Sequence, residues 1–70
     1  MKANIRLNQV EGVNLVVDDF KKITYLVGDK FVTIIDDFSK FEFPKNVTIN
    51  FIGSNQVSVH SNDIAFVIIS

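Results

Sequence analysis

Four aspartates carry the most evident chemical potential in this chain, and they come in two copies of one element. "VVDDF" spans residues 16–20, and "IIDDF" spans residues 34–38, eighteen positions later. Lysine follows each copy closely: Lys21 and Lys22 after the first, Lys40 after the second. Asp18, Asp19, Asp36 and Asp37, brought together, would suit a hard cation such as Ca²⁺ or Mg²⁺, which takes oxygen ligands. A carboxylate pair in a cleft would suit general acid–base work. The spacing matches no calcium loop, the lysines offset the charge, and no cleft is legible. Aspartate also favours turns for a local reason, because its carboxylate accepts from backbone N–H groups two residues on. The first reading is therefore two turns with solvated charge, with no metal, cofactor or catalytic residue assigned.

The phenylalanines of the repeat pose a separate question. A turn phenylalanine either folds back to plug the open end of a small barrel or stands exposed as a contact for a partner. On the second reading Phe20 and Phe38, flanked by Asp19 and Asp37, are the candidate partner contacts.

Other constellations carry less. His60 is the single histidine, and with no cysteine it cannot begin a zinc site; it reads as a turn or hydrogen-bonding residue. No serine sits in a nucleophile elbow. The three glycines are scattered and form no phosphate loop. Tyr25, Phe41, Phe43, Phe51 and Phe66 could stack bases, but their strand spacing places them first in a core. The chain is read as non-enzymatic.

The elements that must hold these residues are almost all strands. "NIRLNQV" alternates Ile5 and Leu7 with polar neighbours, and Gly12 turns the chain between Val10 and Val13. "VNLVV" precedes the first DDF, "KITYLV" and "FVTII" flank a tight turn at Gly28, and "KFEF" stops at Pro44. "NVTINFI", "QVSV" and "IAFVII" follow, separated by "GSN" and "HSND". β-Branched residues dominate, and no helical apolar period emerges. The expected fold is all-β: one domain, residues 1–70, a strongly bent antiparallel barrel or rolled sheet of about 5–8 short strands with no substantial helix. In a simple meander over residues 13–43, both DDF elements are hairpin turns at one end of one sheet, roughly 10 Å apart.

Composition bounds the function. Seventy residues sit near the lower limit for a self-sufficient core. An apolar content of 47% is high for that size, which suggests that part of it is covered by another chain. The net charge of −1 and the single arginine, Arg6, show no basic stripe of the kind nucleic-acid modules use. No signal-peptide pattern and no apolar run of about 20 residues is visible, so no membrane association is expected. The lack of cysteine fits a reducing, cytoplasmic compartment.

"IAFVIIS", residues 64–70, is apolar in both parities: Ile64, Phe66 and Ile68 on one face, Ala65, Val67 and Ile69 on the other. An edge strand apolar on both faces needs a built-in partner. Ile64, Phe66, Val67, Ile68 and Ile69 are therefore the candidate oligomer interface. Val16, Leu26, Val32 and Ile34, opposite the expected core face, point the same way.

From residue 23 onward the spacing resembles the Sm-like family of small β-barrels (Sm, LSm and Hfq). "ITYLVGDKFVTIIDDFSKFEF" resembles the first motif, with Ile23, Tyr25, Gly28, Phe31, Ile35, Phe38 and Phe41 in register. "VSVHSNDIAFVI" resembles the second, with Val57, Val59, Asn62, Ile64 and Val67. The likeness covers about two-thirds of the chain. Thr33 stands where a second glycine is expected, Ser39 and Phe43 hold the RNA-contacting Asp and Asn positions, and His60-Ser61 replaces an Arg-Gly pair. The resemblance thus implies a barrel and a ring-forming habit more than uridine binding. The resulting expectation is a non-enzymatic binding or assembly module acting as a homo-oligomer, with a protein partner possible and nucleic acid disfavoured. The alternative is an Sm-like RNA-binding ring.

Overall fold

A computed structural model of the chain describes residues 1–8, 14–38 and 42–70. Among the described residues seven antiparallel strands form two sheets, and the all-β class expected from the sequence holds. They are β1 (Ala3–Leu7), β2 (Asn14–Val17), β3 (Lys22–Val27), β4 (Lys30–Ile34), β5 (Thr48–Ile52), β6 (Gln56–His60) and β7 (Ile64–Ile69). One sheet has the order β2-β1-β7 and the other β4-β3-β5-β6. The sheets are not closed into a barrel, and among the described residues β2, β7, β4 and β6 are their edge strands. The turn expected at Gly12 and the start of the expected "KFEF" strand, with Lys40 and Phe41, lie outside the described residues. Glu42 and Phe43 belong to no strand.

Alternation decides what each sheet buries. Ala3 and Ile5 are fully buried on β1, with Val17 opposite Ala3 on β2 and Ile69 opposite it on β7. From the other sheet come Ile23, Ile49 and Phe51, and Phe20 completes the buried cluster. Leu7, Leu15, Tyr25, Ile34, Val57 and Val59 pack around it, half-buried. Full burial of one such side chain contributes about 1.5–3 kcal/mol.

The outer face of the four-stranded sheet is held by a polar row rather than left bare. Thr33, Thr24, Asn50 and Ser58 lie opposite one another across β4, β3, β5 and β6. Asn50 Nδ2 donates to Thr24 Oγ1 at 3.2 Å, and Ser58 Oγ donates to Asn50 Oδ1 at 2.7 Å. Thr24, almost fully buried, thus keeps its hydroxyl satisfied.

β7 departs from the alternation expected of it. Arg6 faces Phe66 but Leu7 faces Ile64, so Ala65 is an extra residue, a β-bulge. The bulge resets the parity. Ile64, Val67 and Ile69 pack on the core, while Phe66 and Ile68 face outward. The two faces read from strict alternation are corrected accordingly.

Candidate functional site: the DDF loops and the free sheet edges

The two DDF elements share a local geometry. Asp19 has φ 50° and Asp37 has φ 52°, both in the left-handed region that aspartate tolerates better than most residues. Each left-handed turn reverses the chain and sends the next side chain inward. Phe20 is only 4% exposed, and Phe38 lies half-buried on it, with ring centroids 4.9 Å apart. Phe51 continues the stack from beneath Phe20, at 6.3 Å. Tilted rings at these distances attract beyond their area burial.

Their topology differs from the expected meander. The first element is not a hairpin turn within one sheet. It carries the chain from β2 in the three-stranded sheet to β3 in the four-stranded sheet. The second follows β4. The elements meet through their rings across the interior. The four carboxylates do not converge: among the described residues, no three acidic or histidine side chains come close enough to hold a metal ion. Asp19 and Asp37 are exposed, whereas Phe20 sits in the core with almost no surface to offer a partner.

The first crossing is locked by the β5–β6 turn. Asn55 Oδ1 accepts from the Asp18 N–H at 3.0 Å, and its Nδ2 donates to the Val16 carbonyl at 3.0 Å. The Asn55 amide thus pairs like a strand residue with the edge of β2. Asp18 O accepts from both Ser54 N–H (2.8 Å) and Ser54 Oγ (3.0 Å). Gly53 makes this approach possible: a Cβ there would lie 2.3 Å from Asp18 O and 2.8 Å from Asp19 O. The sequence marks "GSN" as a turn but carries no sign that it clasps the DDF loop. That contact spans more than thirty residues and leaves no local signature.

His60 is a capping residue. Its Nδ1 accepts from the Asn62 N–H at 3.3 Å, opening one turn of 3₁₀ helix at Ser61–Asp63. Within the stretches that resemble Sm motifs, Gly28 lies in the β3–β4 turn at φ 59°, and Asn62 lies in the 3₁₀ turn before β7.

Among the described residues, the large exposed apolar side chains other than Met1 collect in two places. On the three-stranded sheet, Phe66, Ile68 and Val16 stand outward. Asn4 lies between Val16 and Ile68, and Arg6 between Asn14 and Phe66. Asn4 Oδ1 and Arg6 Nε are buried there without a hydrogen-bond partner. Of the predicted interface residues, Phe66 and Ile68 are therefore on the surface, while Ile64, Val67 and Ile69 hold the core. The second collection is the β3–β4 hairpin, where Leu26, Val27, Phe31 and Ile35 are exposed. A cavity of about 470 Å³ opens beside the end of β4, lined by Tyr25, Ile34 and the acidic residues Asp36, Asp37 and Glu42 among others.

Fold and site together define a small two-sheet β protein with apolar free edges. The chain matches no protein-family model, no curated protein and no solved structure. No helix among the described residues is long and apolar enough to cross a membrane.

Proposed function

We propose that this protein is a non-enzymatic binding or assembly module that works as a homo-oligomer. One observation carries the reading: large apolar side chains stand exposed on two edge strands, at 52% for Phe66 on β7 and 64% for Phe31 on β4. A soluble chain of this size gains nothing from such residues at an unpaired edge, where they invite uncontrolled pairing. Covering them with further copies removes the hazard and adds burial. The cysteine-free composition fits work in the cytoplasm, where thiols are kept reduced. Light scattering behind a sizing column tests the reading. A defined oligomer larger than the 7.9 kDa chain at micromolar concentration supports it, and a monodisperse monomer refutes it.

A further inference from the structure

We infer that β4 is the self-association edge, pairing antiparallel with β4 of a second copy about a two-fold axis at Thr33. The inference rests on the homo-oligomer reading above and names its surface. Among the described residues β4 has one neighbour, β3, so its other side is open. Gly28 and Asp29 form a two-residue turn with Gly28 at φ 59°, closing the hairpin on the pair Val27–Lys30. A two-residue hairpin closes on a hydrogen-bonded pair, and such pairs alternate along the ladder. Lys30 and Val32 therefore spend their backbone groups on β3. Phe31 and Thr33, and Ile35 just past the strand, turn theirs toward the free edge.

An antiparallel partner must bond to those three residues. With the axis at Thr33, Thr33 faces Thr33 of the partner subunit, and Phe31 faces the partner's Ile35. Val32 then faces the partner's Ile34, and Lys30 faces the partner's Asp36. Every pair but the one on the axis occurs twice by symmetry. The most exposed apolar residues of the hairpin, Phe31 at 64% and Ile35 at 67%, cover one another, with Leu26 beside Phe31 on β3. Lys30 and Asp36, both exposed and with no ion pair inside their own chain among the described residues, gain one between chains. The acidic cavity at the end of β4 receives the partner's lysine.

Neighbouring registers fail. Sliding by the two residues that preserve the hydrogen bonding sets Lys30 against Ile34 of the partner subunit in one direction. In the other it sets Asp36 against Val32 of the partner subunit. The charges argue for a second copy specifically, because this edge alone is complementary to itself. The other edge strands, β2 (NLVV, already clasped by Asn55), β6 (QVSVH) and β7 (IAFVII), carry no lysine, arginine or carboxylate.

Charge reversal tests this. Lys30→Asp and Asp36→Lys each set like charges opposite one another at two places, which disfavours pairing. By light scattering at low salt, each should weaken the dimer by roughly tenfold or more. The double variant K30D/D36K restores opposite charges and should recover the wild-type mass. Thr33→Pro removes a donor at the free edge without taking one from the β3 ladder, and should give a folded monomer. Single variants that stay as oligomeric as wild type, a double variant that stays dissociated, or a folded but dimeric Thr33→Pro chain would each overturn the assignment to β4. If the wild-type chain oligomerises but these variants do not disturb it, the homo-oligomer reading survives without β4. A monomeric wild-type chain overturns both.

Discussion

Removing the Phe20 ring tests the role of the DDF repeat. Phe20→Ala deletes a side chain that is 4% exposed and stacked between Phe38 and Phe51. Such a change in a core costs about 3–5 kcal/mol, the lost transfer energy plus the cavity left behind. A 70-residue domain has a total stability of roughly 4–10 kcal/mol. The substitution therefore removes between a third and all of it. Phe38→Ala, at a half-buried position, should cost only about 1–2 kcal/mol. Urea unfolding followed by circular dichroism separates the two, at one fixed protein concentration because assembly contributes to apparent stability. With a slope of about 1 kcal/mol/M for so small a chain, Phe20→Ala shifts the midpoint down by about 3–5 M or leaves the chain unfolded in buffer. A shift below about 1 M would refute the reasoning, because it would mean that the first DDF phenylalanine is not a core residue.

Gly53→Ala should destabilise by about 1–3 kcal/mol, since its Cβ meets the backbone carbonyls of Asp18 and Asp19, which cannot move without disturbing the crossing; the same urea titration reads it, and an unchanged midpoint contradicts it. Asn55→Ala loses both amide bonds to the β2 edge and should cost about 1–3 kcal/mol. Hydrogen exchange at Asp18 should quicken in that variant, and unchanged protection there argues against the clasp. Oligo-U and oligo-A should bind weakly or not at all at physiological salt, given a net charge of −1 and a single arginine; submicromolar binding measured by fluorescence anisotropy would instead favour the RNA-ring alternative.

The strands were legible because their cue is local. Ile5 and Leu7, Ile49 and Phe51, and Val57 and Val59 alternate with polar neighbours, and each run is a strand with those residues on the core side. Gly28 marked its hairpin through the positive φ that only glycine adopts at little cost. The division into two sheets was not legible. Nothing local distinguishes a DDF turn that folds back within a sheet from one that crosses to another. The first turn is instead bonded by Asn55 and Ser54, more than thirty residues away in sequence, from the β5–β6 turn of the other sheet. The bulge at Ala65 was hidden for a related reason. A run of six apolar residues carries no parity of its own, and only pairing with Arg6 and Leu7 shows where it slips. The acidic repeat drew attention to its carboxylates, yet its structural effect is exerted by backbone reversal at Asp19 and Asp37 and by the two rings that follow.

Self-association through β4 can be tested most directly by a single introduced thiol. The chain contains no cysteine, so Thr33→Cys creates one unambiguous reporter at the proposed axis. Across a hydrogen-bonded antiparallel pair the two Cα atoms lie about 5.5 Å apart, within the roughly 4.4–6.8 Å span a disulfide bridges. Under mild oxidation at micromolar concentration, Thr33→Cys should form a covalent dimer on a non-reducing gel several times faster than a cysteine away from the edge. A cysteine at Asp63, away from this edge, should remain monomeric under the same conditions. A Thr33→Cys chain that cross-links no faster than the Asp63→Cys control would contradict the account.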